Sequence, residues 1–313
     1  MPLDLLYEPA NFRRANLWRA LRPSGTPGRN GRTAVQERTD VSNADPTSSG
    51  WRARWYLWDG GFLTMGRSSG VVPRHSHHAV QIAVGLDGPV GLHGPDESRV
   101  TAPGIIVAPD VPHQFAAMGS LLAMIFVDPE SHEGRWLQRS LRAPVSEIPQ
   151  AKLDACQPAL RSIWDDPVDA PDTARLIHSV VRQLCAGPPP LRQLDPRIIK
   201  GLEVIRRMDT AKITLDAVAG AVFLSPSRFA HLFSEEVGLP FRRYVLWRRM
   251  TRAMLAVGRG STLSAAAHAC GFADSAHLTR TCHQMLGQAP SALLGMGEFY
   301  EIPAPFEMPF TAA

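Results

Sequence analysis

The sequence predicts a multidomain α+β chain: an N-terminal β-barrel, a helical connecting region and a C-terminal all-α domain with two helix-turn-helix units. Three observations carry this. From Trp51 to about Pro129, short apolar runs alternate with turn residues. After Pro129, apolar residues recur at three- and four-residue intervals. Near the C-terminus, the pattern of residues 214–238 returns at 262–287.

A length of 313 residues suits about two domains, and 44% hydrophobic with 20% charged residues is a globular composition. No apolar run is long enough to span a bilayer, and the N-terminus lacks a secretory apolar core, so a cytoplasmic protein without membrane contact is expected. Cys156, Cys185, Cys270 and Cys282 form no CxxC pair and read as small hydrophobes. Charge is uneven. Between Asp195 and Leu294, thirteen Lys/Arg face seven Asp/Glu, so this segment is +6 in a chain whose formal net charge is +4. A basic C-terminal third is suited to a polyanion.

Taken in order, residues 1–50 are rich in Gly, Pro, Ser, Thr and Arg, the composition of a disordered leader. In 51–129, Trp55–Trp58, Asp59-Gly60-Gly61 and Phe62–Met65 read as strand, turn and strand; further strands are expected at Val80–Val84, Val90–Leu92, Ile105–Ala108 and Leu121–Val127. Residues 130–190 read as a helical connector, with helices at 151–164 and 171–184 and a break at Gly187-Pro188-Pro189-Pro190. Residues 195–297 read as helices joined by short turns, and 298–313 as a tail.

Within the helical domain, Thr214 caps a short helix that buries Leu215, Val218, Ala219 and Val222. Ser225 before Pro226 opens a second helix, which sets Phe229, Leu232 and Phe233 on one side and ends at Gly238. In the repeat, Thr262, Asp274 and Gly287 take the places of Thr214, Ser225 and Gly238, while Leu278 and Cys282 take those of Phe229 and Phe233. Between the units, Phe241–Val257 reads as one helix of about 25 Å. Such a rod can hold two recognition helices about one duplex turn apart.

These stretches resemble the DNA-binding domain of the AraC/XylS family of bacterial regulators. The matching residues are Ser225-Pro226-Ser227-Arg228-Phe229, Leu232-Phe233, Gly238-Leu239-Pro240, Arg249-Met250 and Ala253, Gly271–Arg280, and Gly287-Gln288-Ala289-Pro290-Ser291. Leu278 and Cys282 are smaller than the aromatics usual in the family, so the second core must pack differently. Opposite the apolar faces lie Ser227 and His231, flanked by Arg228, in the first unit, and Ala276 and Arg280, flanked by Ser275 and Thr279, in the second. The resemblance places these positions at base edges; Arg248 and Arg252 of the rod are candidates for phosphate contacts.

In the N-terminal region, His75-Ser76-His77-His78…Gln81, with Pro109-Asp110-Val111-Pro112-His113 further on, is similar to the two short motifs of cupin barrels, where such side chains meet inside the barrel. Three imidazoles and an oxygen donor can hold a transition metal. Gln81, however, stands where metal-dependent cupins have a carboxylate. The readings are an organic-effector pocket lined by His75, His77, Gln81 and His113, a metal site, or a structural remnant, and the first is preferred. The resemblance implies a cytoplasmic, effector-responsive regulator, with activation expected ahead of repression. Its implied partners are double-stranded promoter DNA, RNA polymerase, a small-molecule effector and a second copy of the chain. No cofactor is called for. The alternative, a metal-dependent cupin enzyme such as a dioxygenase or isomerase, uses only the histidines and leaves the duplicated helices without a role.

Overall fold

The computed structural model describes residues 53–58, 61–67, 70–116, 118–165, 170–185, 192–294 and 297–302. The expected leader and the Gly187–Pro190 break lie outside the described residues. The β-rich region comprises β1 (Ala53–Trp58), β2 (Gly61–Arg67), β3 (Val72–His75), β4 (Val80–Gly85), β5 (Val90–His93), β6 (Arg99–Ala102), β7 (Gly104–Val107), β8 (His113–Phe115) and β9 (Leu121–Val127). There follow α1 (His132–Ser140), β10 (Val145–Ile148), α2 (Gln150–Leu153), α3 (Gln157–Asp165) and α4 (Ala170–Leu184). The C-terminal domain contains α5 (Pro196–Arg207), a 3-10 turn (Thr210–Lys212), α6 (Leu215–Ala221), α7 (Pro226–Val237), α8 (Phe241–Gly258), α9 (Leu263–Ala269), α10 (Ser275–Leu286) and α11 (Pro290–Leu294); β11 (Gly297–Glu301) closes the chain's described part. No described helix is long and apolar enough to cross a membrane.

The strands form a seven-stranded sheet in the order β10-β7-β4-β9-β2-β1-β11 and a four-stranded sheet in the order β3-β8-β5-β6. The expected barrel is therefore two facing sheets, with no ladder joining them among the described residues. Strand alternation explains how the larger sheet is covered. Tyr56, Leu63, Met65, Val80, Ile82, Val84, Ile125 and Val127 point to one side, where Leu153, Leu160, Ile163, Ile177, Val180 and Val181 of α2, α3 and α4 complete a core. On the other side, Ala83, Ile105, Val107 and Leu122 pack with Val90, Leu92, Ala102 and Phe115 of the smaller sheet. The remainder of that side, Trp55, Leu57, Phe62 and Phe126, shares a core with Trp247, Met250, Met254, Leu278 and Cys282 of the helical domain. The larger sheet outgrows a barrel because a second domain covers its β1–β2–β9 end.

Two segments read from sequence as helical connector and tail contain strands. Val145–Ile148 pairs antiparallel with β7 at one edge of the large sheet. Gly297–Glu301 pairs in parallel with β1 at the other. The first helix-turn-helix unit has its own core, built on Ile198, Leu202, Ile205, Val218, Phe229, Phe233, Phe241 and Tyr244.

Candidate DNA-binding surface and sensing site

Each unit is built by the local chemistry of its caps. Thr214 Oγ1 accepts from the Ala217 N–H at 3.2 Å and Ser225 Oγ from the Arg228 N–H at 3.3 Å, opening α6 and α7. In the repeat, Thr262 Oγ1 accepts from the Ala265 N–H at 3.1 Å and an Asp274 carboxylate oxygen from the His277 N–H at 2.6 Å. Gly238 (φ 79°) and Gly287 (φ 72°) end α7 and α10 in the left-handed conformation. Phe229, Leu232 and Phe233 are buried in α7, as are Leu278 and Cys282 in α10.

The opposite faces are open. Ser227, Arg228 and His231 are exposed on α7, and Ala276 and Arg280 on α10; Ser275 and Thr279 are half-buried. The Thr279 hydroxyl is already committed, donating to Ser275 O at 2.8 Å. Arg249, on α8, donates to Thr210 O at 3.2 Å and Gly271 O at 3.1 Å, and so ties the turn of the second unit to the segment before the first.

The two rod arginines expected on phosphate are placed differently. Arg248 is fully buried, with its guanidinium 3.8 Å from the Asp128 carboxylate at the end of β9. Arg252 donates to Met208 O at 3.0 Å and to Arg206 O, beyond the end of α5 and within it. The Arg248 guanidinium is therefore not presented to a polyanion, whereas Arg252 is only half-buried. For Arg248 the reason is tertiary: the end of β9 packs against the side of α8 that a free helix would offer to solvent.

That contact contains a buried polar cluster that sequence reading missed. His78 Nε2 lies 3.0 Å from a Glu130 carboxylate oxygen, Trp247 Nε1 donates to Asp128 at 3.5 Å, and the His78 and Tyr244 rings meet edge-on. Burial, reinforced by the neighbouring Glu130 charge, raises the Asp128 pKa; Arg248 opposes the rise. Burial would raise Glu130 too, but the His78 pairing holds it below its ordinary value. His78, adjacent to the noted His77, and Trp247, a large aromatic on a supposedly open rod, were the available signals.

The four residues expected at the sensing site do come together. His75, His77, His113 and Gln81 are 7%, 1%, 0% and 1% exposed. One ring nitrogen from each histidine lies within 4.8 Å of the others. Nδ1 of His75, His77 and His113 meets the backbone carbonyls of Pro73 (2.8 Å), Ala79 (3.0 Å) and Val111 (2.8 Å). His77 Nε2 lies 2.9 Å from Gln81 Oε1. Burial, with the neighbouring imidazoles adding to it, pushes His77 down to about 4 and His113 to about 2; burial lowers His75 as well. All three are neutral near neutral pH, the state that ligates a metal. His113 Nε2 is buried without a hydrogen-bond partner. This donor set fits a divalent transition metal.

A β-rich region joined to a duplicated helix-turn-helix domain defines the class: a two-domain DNA-binding protein. Residues 218–296 match the helix-turn-helix domain family. The chain is 24% identical over 234 residues to the probable transcriptional regulator LumQ of Photobacterium leiognathi, covering 69% of this chain and 90% of LumQ. It is 33% identical over 95 residues to the transcriptional activator RhrA of Rhizobium meliloti, covering 29% of this chain and 30% of RhrA, so it spans under a third of that relative. The fold is similar to the crystal structure of ToxT from Vibrio cholerae O395, with a TM-score of 0.50 at 11% identity over 76% of this chain and 98% of ToxT. The helical domain is an AraC-type helix-turn-helix domain, and through it the chain is a DNA-binding transcription regulator.

Proposed function

We infer that this protein is a cytoplasmic, signal-responsive regulator that binds promoter DNA through α7 and α10 in successive major grooves. The observation that carries the reading is the repeated unit: two helices with matching caps and glycine ends, each burying one face and exposing the other. Ser227, Arg228 and His231 are assigned to base edges in one half-site, and Ser275, Ala276, Thr279 and Arg280 in the other. Arg280 is long, exposed and able to donate two hydrogen bonds to a guanine, a contact worth about 1–3 kcal/mol of discrimination. Binding of a small-molecule effector is assigned to His75, His77, Gln81 and His113. Dimerisation is assigned to the helices following β10, and activation through RNA polymerase is favoured because RhrA is described as an activator.

Selection from randomised duplexes at moderate salt tests the reading. A recovered motif with two half-sites about one turn apart is the expected result. Arg280→Ala is expected to relax preference at one position by about tenfold or more while leaving the remaining positions intact. No enrichment over random competitor, under every signal condition tried, overturns the reading.

A further inference from the structure

Phe223 breaks the local rule for its place in the chain. It follows the last residues of α6 in left-handed backbone, at φ 58°. Its N–H donates to Gly220 O at 3.1 Å, and the Leu224 N–H donates to Ala219 O at 3.0 Å. This pair of bonds is the turn that commonly ends a helix, and its left-handed position favours glycine. The second unit obeys. Gly271 stands there at φ 81°, with the Gly271 and Phe272 N–H groups donating to His268 O at 3.1 Å and Ala267 O at 2.9 Å. Phe272, one residue further on, is buried, whereas Phe223 leaves 96% of its surface in water.

We propose that Phe223 is a DNA-reading residue of the first unit, laying its ring against the 5-methyl group of a thymine at the edge of the half-site that α7 enters. The second unit, with Gly271 in that place, makes no such contact, so the two half-sites are read unequally. The inference rests on the assignment of α7 to a major groove, and adds to it a residue outside the helix and the base that it reads.

Three observations support it. Strained backbone that packing does not offset persists where the side chain serves a contact outside the folded chain. The place is also right. Phe223 lies two residues ahead of the Ser225 cap, and Ser225, Pro226, Ser227 and Arg228 are all exposed. A recognition helix meets base edges with its N-terminal residues, so the turn feeding that end lies beside the groove. Four residues of chain reach at most about 14 Å, which keeps Phe223 within roughly four base-pair steps of whatever Ser227 touches. Third, the chemistry selects the partner. The ring has no polar atom, and thymine is the base that offers the major groove a methyl group, on which phenylalanine packs. A protein partner would need several anchors spread over about 1,000 Å². Ala217, Gly220 and Ala221, the exposed residues in the last two turns of α6, are small. Val71, in the β-rich region, is the other exposed large hydrophobic among the described residues. On a duplex, one apolar side chain suffices.

The test uses the full chain and the duplex it selects, with each thymine replaced in turn by deoxyuridine, which removes only the methyl group. Arg280→Ala marks the α10 half-site and so identifies the other. One replacement in the α7 half-site is expected to weaken wild-type binding about fourfold, the worth of one buried methyl group. The same replacement is expected to have no effect on Phe223→Gly or Phe223→Asn, both of which suit left-handed backbone and keep the fold. Thymines of the α10 half-site are expected to respond equally in wild type and both variants. Equal losses at every thymine in wild type and variants overturn the contact, as does an α7 half-site without thymine. Variants that bind every duplex like wild type but fail to activate purified RNA polymerase assign Phe223 to a protein partner, and overturn it too. A chain that selects no duplex overturns this inference together with the regulator reading, whereas the other adverse outcomes overturn this one alone.

Discussion

Phe223 sits in the turn before α7 with φ 58° and 96% of its surface in water. Its counterpart in the second unit is Gly271, at φ 81°. A bulky L-residue pays about 1–2 kcal/mol for left-handed backbone, and nothing buried offsets it here. Phe223→Gly is therefore expected to stabilise the first unit by up to about 1 kcal/mol, after the added chain entropy of glycine, seen as a higher thermal midpoint. Arg248 offers the opposite lesson. As a residue letter on an amphipathic rod it reads as a phosphate contact, but its charge is buried beside Asp128. Arg248→Ala is expected to cost about 3–5 kcal/mol in stability, because the Asp128 carboxylate keeps its burial and loses a cation. The salt slope of DNA binding is expected to stay unchanged, whereas a phosphate contact would lower it by about 1. Residue type was legible in both cases; burial was not, since it depends on a sheet 120 or so positions away in sequence.

At the scale of elements, the reading was most secure where the physics is local. Caps, a proline at the first helical turn and left-handed glycines act within four residues, so α6, α7, α9 and α10 could be delimited from sequence. Ser225→Ala is expected to cost about 1 kcal/mol, measurable by denaturant unfolding. The core of the second unit was harder to foresee. Leu278 and Cys282 are small, yet both are fully buried, because Trp247 of α8 and Trp55, Phe62 and Phe126 of the sheet belong to the same core. Restoring an aromatic with Cys282→Phe, which would make the second unit resemble the first, is expected to destabilise by about 1–3 kcal/mol through overpacking. β10 and β11 escaped notice for a related reason. Short edge strands carry little periodicity of their own, and their partners, β7 and β1, are distant in sequence.

For the molecule as a whole, the consequential feature is that sheet and second helix-turn-helix unit share one core, while the first unit keeps its own. β11 reinforces this: Phe299 stacks on Trp55 at 5.9 Å, Tyr300 on Tyr56 at 4.8 Å, and Arg259 at the end of α8 pairs with Glu301. Ending the chain after Leu294 is expected to lower the thermal midpoint and split unfolding into two transitions, as seen by calorimetry. A single unchanged transition would show that β11 contributes little to joining the domains. By itself, the sequence determined the duplicated helical units, their caps and outward-facing side chains, because these follow from spacing within a few turns; the grouping of three histidines with Gln81 came from the resemblance of two separated motifs to those of cupin barrels. Tertiary structure alone decided that Arg248 is internal, that the imidazoles lie beneath α8 and α10, and that the chain's end returns to the sheet. Such outcomes depend on which surfaces exclude water together, and burial between distant segments leaves no periodic trace in either of them.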